Sequence, residues 1–261
     1  PSNISSLYQL RSELANYCVA KGLNEIVSLS LCHSTQCLQS GIWKEDELVY
    51  INNTSNTNLD VMLPSLCMGG LQAISFNVNR QQSDLSLFEI GRSYLSDHGE
   101  YTEQQHLSIF LTGGRNISNW MEPKIQNYQF FDIKSRMENL FSHLGCADLT
   151  LSSAENNSIY EYSLSWFNQN SLLGTCGLLK TNLLRQFDLK KPVFYGELNL
   201  QNLQMSLRQR KTIFSEISKF PSSRRDLAVV VDQQISYRQI EDCIYSFGGP
   251  QIQNINLFDL Y

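Results

Sequence analysis

The stretch Lys219-Phe-Pro-Ser-Ser-Arg-Arg-Asp-Leu-Ala-Val-Val-Val-Asp232 is the most informative part of this chain for its fold. A proline-containing loop leads to two adjacent arginines, and five apolar residues follow before an acid. A continuous run rich in β-branched residues is typical of a strand that is buried on both faces. The stretch therefore predicts a basic loop that leads into a buried strand.

The residues after this stretch complete a predicted β-α-β unit. Ser236-Tyr-Arg-Gln239 has the spacing of a capping box, which marks the start of a helix. Ile240, Ile244 and Phe247 follow at helical spacing and are expected to form its buried face. Ile252 to Leu260 is predicted as the second strand of the unit.

The chain before residue 204 predicts a mixed fold with an antiparallel sheet. Strands are expected at 23–31, 85–95, 107–112, 160–166, 172–179 and 193–200, and helices at 6–21, 63–78 and 132–144. Most of the predicted strands follow one another directly along the chain, and the predicted helices lie outside these runs of strands. This order indicates an α+β fold in which an antiparallel sheet is flanked by helices.

The first predicted helix carries an apolar stripe that has two interpretations. Leu7, Leu10, Leu14 and Cys18 recur at helical spacing, and Tyr8 lies near the edge of the stripe. A patch of this size favours a subunit interface. The competing interpretation is that the stripe only covers the sheet of its own chain.

The charge of the chain is unevenly distributed. Of 20 Lys and Arg, ten lie between Lys180 and Arg225 against three acids, so this segment carries +7 and the remainder −12. The asymmetry indicates a side that faces a polyanion, and the alternative is a solvated basic linker. Hydrophobic residues make up 42% and charged residues 17%, as in a folded globular protein. With no membrane-length apolar window and no leader at Pro1, a soluble cytoplasmic protein is expected.

The cysteines and histidines predict no metal or nucleophilic site. The seven cysteines are scattered without a Cys-x-x-Cys pair, which argues against a disulfide framework and against zinc. The one cluster, Cys32-His33 with Cys37, lacks a fourth ligand nearby, so buried reduced thiols are the favoured interpretation. The four histidines have no nucleophile with a plausible partner in sequence and are expected on the surface or in the core.

Five motifs along the chain occur in an order that is typical of one enzyme core. They are Lys21–Ser30, Met62–Leu66, Asn79-Arg80, Leu87-Phe-Glu-Ile-Gly-Arg-Ser-Tyr94 and Phe130-Phe-Asp-Ile-Lys134. Together they resemble the core of the class II aminoacyl-tRNA synthetases, and the similarity is strongest to the bacterial phenylalanyl-tRNA synthetase beta subunit. The opening stretch, with Leu257–Tyr261, resembles the beginning of the ferredoxin-fold anticodon-binding domain of the same subunit.

The resemblance implies a division of the chain and is imperfect at three places. Residues 1–203 would be a class II-like core, 204–218 a basic linker, and 219–261 the start of a truncated anticodon-binding domain. Leu63 and Ser135 stand where the family usually has an arginine and a glycine, and Ile159–Tyr162 replaces a His-Pro-Gly type stretch.

The class II catalytic arginine is missing from this sequence. The family-wide pattern Gly-x-x-Phe-Arg-x-Glu provides an arginine that holds the α-phosphate of ATP, where charge develops in the transition state. Here Gly91-Arg-Ser-Tyr-Leu95-Ser-Asp97 places Leu95 at that position, and the glycine-rich nucleotide segment is absent. Arg92 is three positions away and is expected on the other face of the strand. No catalytic residue and no metal site are therefore assigned.

The resemblance implies a structural role within a ligase. The beta-subunit core would support assembly with an alpha subunit, as alpha₂beta₂ packed through the first helix and strand. It would also support tRNA binding for the ATP-dependent attachment of phenylalanine to its tRNA. The resemblance implies ATP and magnesium for the whole enzyme, and neither is expected to bind to this chain. Neither a membrane nor DNA is expected as a partner. A stand-alone RNA-binding module and a class II synthetase paralogue remain as alternatives.

The residues predicted to contact tRNA are basic and lie around the entry to the anticodon-binding unit. They are Lys219, Arg224, Arg225, Arg208, Arg210 and Lys211. A planar guanidinium suits phosphate and base-plane contacts. Arg224 is predicted to contact RNA, whereas Arg225 is predicted to pair with Asp226 or with an acid at a strand end.

Overall fold

The structure is a computed structural model that describes residues 6–54, 56–116, 120–121, 126–146, 149–154, 158–208, 214 and 219–260. The chain forms two compact units, Pro1–Lys211 and Thr212–Tyr261, and each is described by itself. None of the helices described has the length and the apolar character that a membrane span requires.

Seven helices and nine strands are seen in the described residues. The helices are α1 (Ser6–Ala20), α2 (Ser34–Gln39), α3 (Leu66–Val78), α4 (Phe130–Leu144), α5 (Thr181–Arg185), α6 (Leu200–Arg208) and α7 (Tyr237–Gly248). The strands are β1 (Asn24–Glu25), β2 (Leu31–Cys32), β3 (Val61–Met62), β4 (Leu85–Asp97), β5 (Glu100–Thr112), β6 (Thr150–Ala154), β7 (Tyr160–Asn168), β8 (Ser171–Leu179) and β9 (Val193–Asn199). Short 3-10 turns occur at Glu45–Glu47 and Gly249–Gln251.

The first unit is built on a seven-stranded sheet in the order β1-β4-β5-β9-β8-β7-β6. All neighbours are antiparallel except β1 and β4, which are parallel. The centre is a long hairpin of β4 and β5 whose two turn residues, His98 and Gly99, have positive φ angles of 49° and 88°. The predicted α+β fold with a mainly antiparallel sheet is confirmed.

Each face of this sheet is covered by helices over its own apolar cluster. Helices α1, α4 and α6 cover one face, where Gly196 of β9 leaves room for the sulfur of Met137. Helices α3 and α5 cover the other face, together with α2 and the small β2–β3 sheet. On that side α3 lies so close that a Cβ on Gly70 would overlap the ring of Phe110. We call these surfaces the α4 face and the α3 face.

The apolar stripe of α1 belongs to the core of its own chain. Leu10, Leu14 and Cys18 are buried in the cluster on the α4 face, and Leu7 packs against it. The three buried side chains are therefore covered by their own chain, as the competing interpretation holds, and the assignment of the stripe to a subunit interface stays a prediction. Tyr8 and Val19, on the remaining surface of the helix, are exposed. The helical spacing of apolar residues shows that one side of a helix is covered. It does not show whether a sheet of the same chain or a partner chain covers it.

The strand predicted at 23–31 is much shorter in the structure. Only Asn24 and Glu25 pair with β4, and pairing resumes at Leu31 in the separate β2–β3 sheet. Between these pairs, Val27 and Leu29 are 90% and 67% exposed. Leu23 and Ile26 pack against the core clusters, so only the apolar side chains of Val27 and Leu29 are not explained by burial among the described residues.

The second unit has its predicted helix but not its predicted strands. Helix α7 begins after Ser236, whose hydroxyl accepts from the backbone N–H of Gln239 as the capping box requires. Leu227 to Val231 and the residues after Ile252 form no strand, and the run expected to be buried is exposed. The prediction of a buried strand is wrong for this structure, because no neighbouring strand of the described unit supplies hydrogen bonds.

Helix α7 likewise has little to pack against. Ile240 and Ile244 are half-buried, whereas Phe247 is 88% exposed. The predicted buried face is thus only partly covered, since the described part of the unit contains no sheet to cover it.

The predicted linker at 204–218 begins inside a helix. Residues 204–208 form the second half of α6, and Gln204 and Arg208 both donate to the hydroxyl of Ser6 in α1. The first turn of the helix packs on the core cluster through Leu200 and Leu203. Residues 209–213 and 215–218 lie outside the described residues.

Candidate functional site

The α3 face is the surface on which a class II-like core would carry its chemistry. Successive residues of a strand point to opposite faces, so Gly91, Ser93 and Leu95 of β4 share one face. A Cβ on Gly91 would lie 2.7 Å from Cδ2 of Leu66 in α3, which identifies that face as the α3 face. Phe110 of β5 contacts the same helix, so the even-numbered residues of β5 point the same way.

Three side chains from three neighbouring strands form a polar chain on this face. Oγ of Ser93 and Nε2 of His106 are 2.8 Å apart, and Nδ1 of His106 lies 3.4 Å from Oε1 of Glu197. Ser93 and His106 are buried, and Glu197 is about a quarter exposed. We call this set the Ser93–His106–Glu197 chain. It joins β4, β5 and β9 across the centre of the sheet.

A second buried carboxylate lies on the same face. Glu89 of β4 accepts a hydrogen bond from the backbone N–H of Ser28 at 2.8 Å, and both of its oxygens are bonded by the Ser28 hydroxyl. Glu89 is only 4% exposed. These bonds compensate part of the cost of burying the carboxylate. They also attach the segment after β1 to the sheet.

The α3 face does not fit the triphosphate of ATP. Leu95 occupies the position of the phosphate-binding arginine, so no positive charge is present there. Arg92 lies on the opposite face, where its Nε is 3.5 Å from Oε1 of Glu103, as the three-residue offset predicts. The charged side chains that this face does carry include Glu89 and Glu197, and two carboxylates repel a polyphosphate.

Burial keeps three further titratable groups on this side neutral. Burial raises the pKa of Tyr160, Tyr195 and Cys67 well above their ordinary values, and the nearby Glu197 carboxylate raises them further. A thiol or phenol of raised pKa is a poor nucleophile. In the described part of the chain, no group of three or more His, Cys, Asp or Glu side chains is placed to hold a metal ion.

The basic residues of the second unit are all exposed, but their partners differ from the prediction. Nε of Arg224 lies 3.3 Å from Oδ1 of Asp226, and its guanidinium carbon is 5.8 Å from the centre of the Phe258 ring. Arg225 makes no ion pair among the described residues. The structure therefore reverses the predicted pairing, since it is Arg224 that pairs with Asp226.

The other predicted RNA contacts are spread along the chain. Lys219 is exposed in the second unit, whereas Arg208 is exposed at the end of α6 and donates to Ser6 at 3.2 Å. Arg210 and Lys211 lie outside the described residues.

Comparison with known proteins places the chain in a family. Residues 1–200 match the family model described as phenylalanyl tRNA synthetase beta chain CLM domain. The chain belongs to this phenylalanyl-tRNA synthetase beta chain family. Residues 218–261 match the ferredoxin-fold anticodon binding domain, so the resemblance seen at the opening stretch is confirmed as well.

Similar curated proteins carry the same family name. The phenylalanine–tRNA ligase beta subunit of Bacteroides thetaiotaomicron is 30% identical over 97% of this chain and 32% of its own length. That of Bacteroides fragilis is 31% identical over 97% of this chain and 32% of its own length. That of Dehalococcoides mccartyi is 29% identical over 97% of this chain and 30% of its own length. The chain spans about a third of the length of these relatives.

Solved structures support the fold of the first unit. Pyrrolysyl-tRNA synthetase from Desulfitobacterium hafniense superposes with a TM-score of 0.60 at 14% identity, covering 77% of this chain and 68% of that one. A second structure of a pyrrolysyl-tRNA synthetase from this organism gives a TM-score of 0.59 at the same identity and coverage. At this identity the similarity concerns the fold alone.

Proposed function

We propose that this chain is the structural, non-catalytic core of a phenylalanine–tRNA ligase beta subunit, joined to the start of its anticodon-binding domain. It supports assembly with an alpha subunit and the binding of tRNA, and the alpha subunit activates phenylalanine with ATP and magnesium. The family membership of residues 1–200 and the anticodon-binding match of residues 218–261 are the starting points of this proposal.

The observation that carries the non-catalytic role is the chemistry of the α3 face. Leu95 provides no charge where a class II enzyme needs an arginine, and Arg92 is held on the other face by Glu103. On the same surface the Ser93–His106–Glu197 chain places two buried side chains that are hydrogen-bonded to each other, with the Glu197 carboxylate 3.4 Å from the ring. A face with this composition suits a structural element better than a nucleotide site.

The assembly role is supported by the edge of the sheet. Strand β1 is the outermost strand, and the exposed Val27 and Leu29 follow it directly. Val19 is exposed at the end of α1, just before this edge. Open sheet edges and exposed apolar residues favour association with another chain. The interface in this proposal therefore uses the outer surface of α1 and the segment after β1, in place of the buried stripe.

The RNA role rests on the basic residues of the second unit. Lys219, Arg224 and Arg225 are exposed. The exposed ring of Phe220 follows Lys219 in sequence, and the exposed ring of Phe258 lies 5.8 Å from the guanidinium carbon of Arg224. Guanidinium groups with neighbouring aromatic rings are suited to single-stranded RNA, where they contact phosphates and stack on bases. We assign Arg225 and Lys219 as the principal contacts, because Arg224 is already paired.

Co-expression with an alpha subunit tests this proposal. The tagged chain is expressed with the phenylalanyl-tRNA synthetase alpha subunit of the same genome, purified, and assayed for ATP–pyrophosphate exchange with phenylalanine. Co-purification is expected, with exchange only in samples that contain the alpha subunit. Exchange by the chain alone would favour a class II paralogue. RNA binding without any association with the alpha subunit would favour a stand-alone RNA-binding module.

A further inference from the structure

Two cysteine sulfurs are in contact beside the α3 face. Sγ of Cys32, at the end of β2, lies 3.4 Å from Sγ of Cys37, in α2. Helix α2 starts two residues after Cys32, so one short turn brings the second thiol back to the first. Both thiols are free, and both are buried in the apolar cluster that lies under α3. Neither residue takes part in the function proposed above.

The contact makes the two thiols unequal. A hydrogen bond from Cys32 lowers the pKa of the Cys37 thiol, whereas that same bond and burial raise the pKa of Cys32. The carboxylate of Asp60, which accepts hydrogen bonds from the backbone N–H and the hydroxyl of Ser34 at 2.8 and 2.6 Å, raises the pKa of both thiols, and burial opposes the lowering at Cys37. Cys37 is therefore the first of the pair to become a thiolate, and the thiolate is the nucleophile in thiol–disulfide exchange.

We propose that Cys32 and Cys37 form an oxidisable dithiol site that reacts with a low-molecular-weight disulfide to give an intramolecular disulfide. The Cys37 thiolate attacks one sulfur of the small disulfide, and its other half leaves as a thiolate. Cys32 then loses its proton and attacks the Cys37 sulfur, and the second small thiol leaves. Two protein thiols are oxidised to one disulfide, and one small disulfide is reduced to two thiols that take up the protons.

The other buried cysteines provide a built-in comparison. Cys18, Cys67 and Cys176 are as buried as the pair, and in the described chain none of them has a second sulfur within hydrogen-bond distance. Burial raises the pKa of Cys18 and of Cys176 to about 12, and that of Cys67 well above its ordinary value. These thiols have neither a partner for an internal disulfide nor a thiolate at neutral pH.

Access to the pair requires a local opening, because the two sulfurs are covered in the folded chain. Helix α2 contains six residues, and a helix of this length has little stability of its own. Its tertiary support comes from two buried residues, Cys37 and Ser34, the second of which is hydrogen-bonded to Asp60. Opening of α2 would expose the pair without disturbing the seven-stranded sheet.

A peptide map after oxidation tests the proposal in the unaltered protein. Trypsin leaves Cys32 and Cys37 together on the peptide 22–44, which contains no other cysteine. The folded protein is incubated with oxidised glutathione at mildly alkaline pH, alkylated under denaturing conditions and analysed by mass spectrometry. We expect this peptide to lose two hydrogens and to escape alkylation, at least about tenfold faster than glutathione is added to Cys67 or Cys176. A dithiol reductant should restore it.

One serine variant and one control variant separate the pair from a single reactive thiol. In Cys32→Ser the disulfide cannot form, so a glutathione adduct should persist on Cys37, whereas Cys176→Ser should behave as the unaltered protein. A lasting glutathione adduct on the peptide of the unaltered protein would overturn the proposal. So would a pair that stays reduced until circular dichroism shows the protein to be unfolded. The peptide map of the unaltered protein decides the matter even where a variant does not fold.

Discussion

Oγ of Ser93 and Nε2 of His106 lie 2.8 Å apart on the adjacent strands β4 and β5, and both residues are buried. The second ring nitrogen of His106 faces the carboxylate of Glu197 on β9 at 3.4 Å. The ring is thus the centre of a polar chain on a face whose other contacts are mainly apolar. Its removal would leave a buried hydroxyl and a carboxylate without their partner, and an unsatisfied buried polar group is costly.

We therefore expect His106→Leu to lower the free energy of unfolding by about 2–3 kcal/mol. Ser93→Ala, which leaves the contact between the ring and the Glu197 carboxylate in place, should cost about 1 kcal/mol. Urea unfolding followed by circular dichroism measures both. His98→Asn is the control, because His98 is exposed in the hairpin turn at a positive φ angle that asparagine tolerates, and it should change stability by less than about 0.5 kcal/mol. Equal stability of His106→Leu and His98→Asn would show that the chain contributes nothing.

The isolated chain should show only background ATP–pyrophosphate exchange with phenylalanine. Restoring the missing arginine by Leu95→Arg should not create activity, because Glu89 and Glu197 on the same face oppose a bound triphosphate. Exchange assays and calorimetric titration with ATP check this, with the alpha–beta enzyme as the positive control. ATP binding by the unaltered chain that is lost in Arg92→Ala would contradict the assignment of an inert face.

Aspartate substitutions should distinguish the core side of α1 from the edge of the sheet. Leu10→Asp and Leu14→Asp place a carboxylate in the core, so each should destabilise the first unit by at least about 3 kcal/mol and reduce its helical signal. Val27→Asp with Leu29→Asp changes exposed residues, so the fold should persist while co-purification with the alpha subunit is lost.

Tyr101→Asp is the matched control for the edge variant. Tyr101 is also an exposed large apolar residue, but it lies near the far turn of the β4–β5 hairpin, away from β1. This variant should keep both the fold and the association. Retention of the alpha subunit by the Val27 and Leu29 double variant would exclude this edge as the interface.

In the complete ligase, Arg225→Ala should weaken tRNA binding by about 1–2 kcal/mol, the scale of one charge-assisted contact. Arg224→Ala should have a smaller effect, because that guanidinium is shared with Asp226. The loss should shrink as salt rises, since phosphate contacts release counterions. Filter binding at two salt concentrations measures these values, and Arg238→Ala, whose side chain pairs with Glu241 and Asp242, is the control. An unchanged dissociation constant for Arg225→Ala at low salt would remove this segment from the RNA site.

The central strands of the sheet could be predicted because their patterns are local, whereas β6 at Thr150–Ala154 was not predicted. The alternation at 160–166 and the hairpin that follows it appear in the structure as β7 and β8. The family resemblance was equally accessible, since it depends on motifs within short stretches. The wrong prediction of a strand at Leu227 to Val231 also follows from reliance on local pattern. Composition indicates which residues favour a strand, but a strand forms only where a neighbouring strand supplies hydrogen bonds.

The sequence by itself determined the class of the fold, the family and the loss of the phosphate-binding arginine at position 95. Only the tertiary structure decided that the stripe of α1 is core, that Arg224 takes Asp226, and that Cys32 meets Cys37. The reason is the distance along the chain over which each feature is determined. Side-chain periods and motifs depend on neighbours along the chain, whereas the Ser93–His106–Glu197 chain depends on the register of three strands, which distant residues set when the sheet forms.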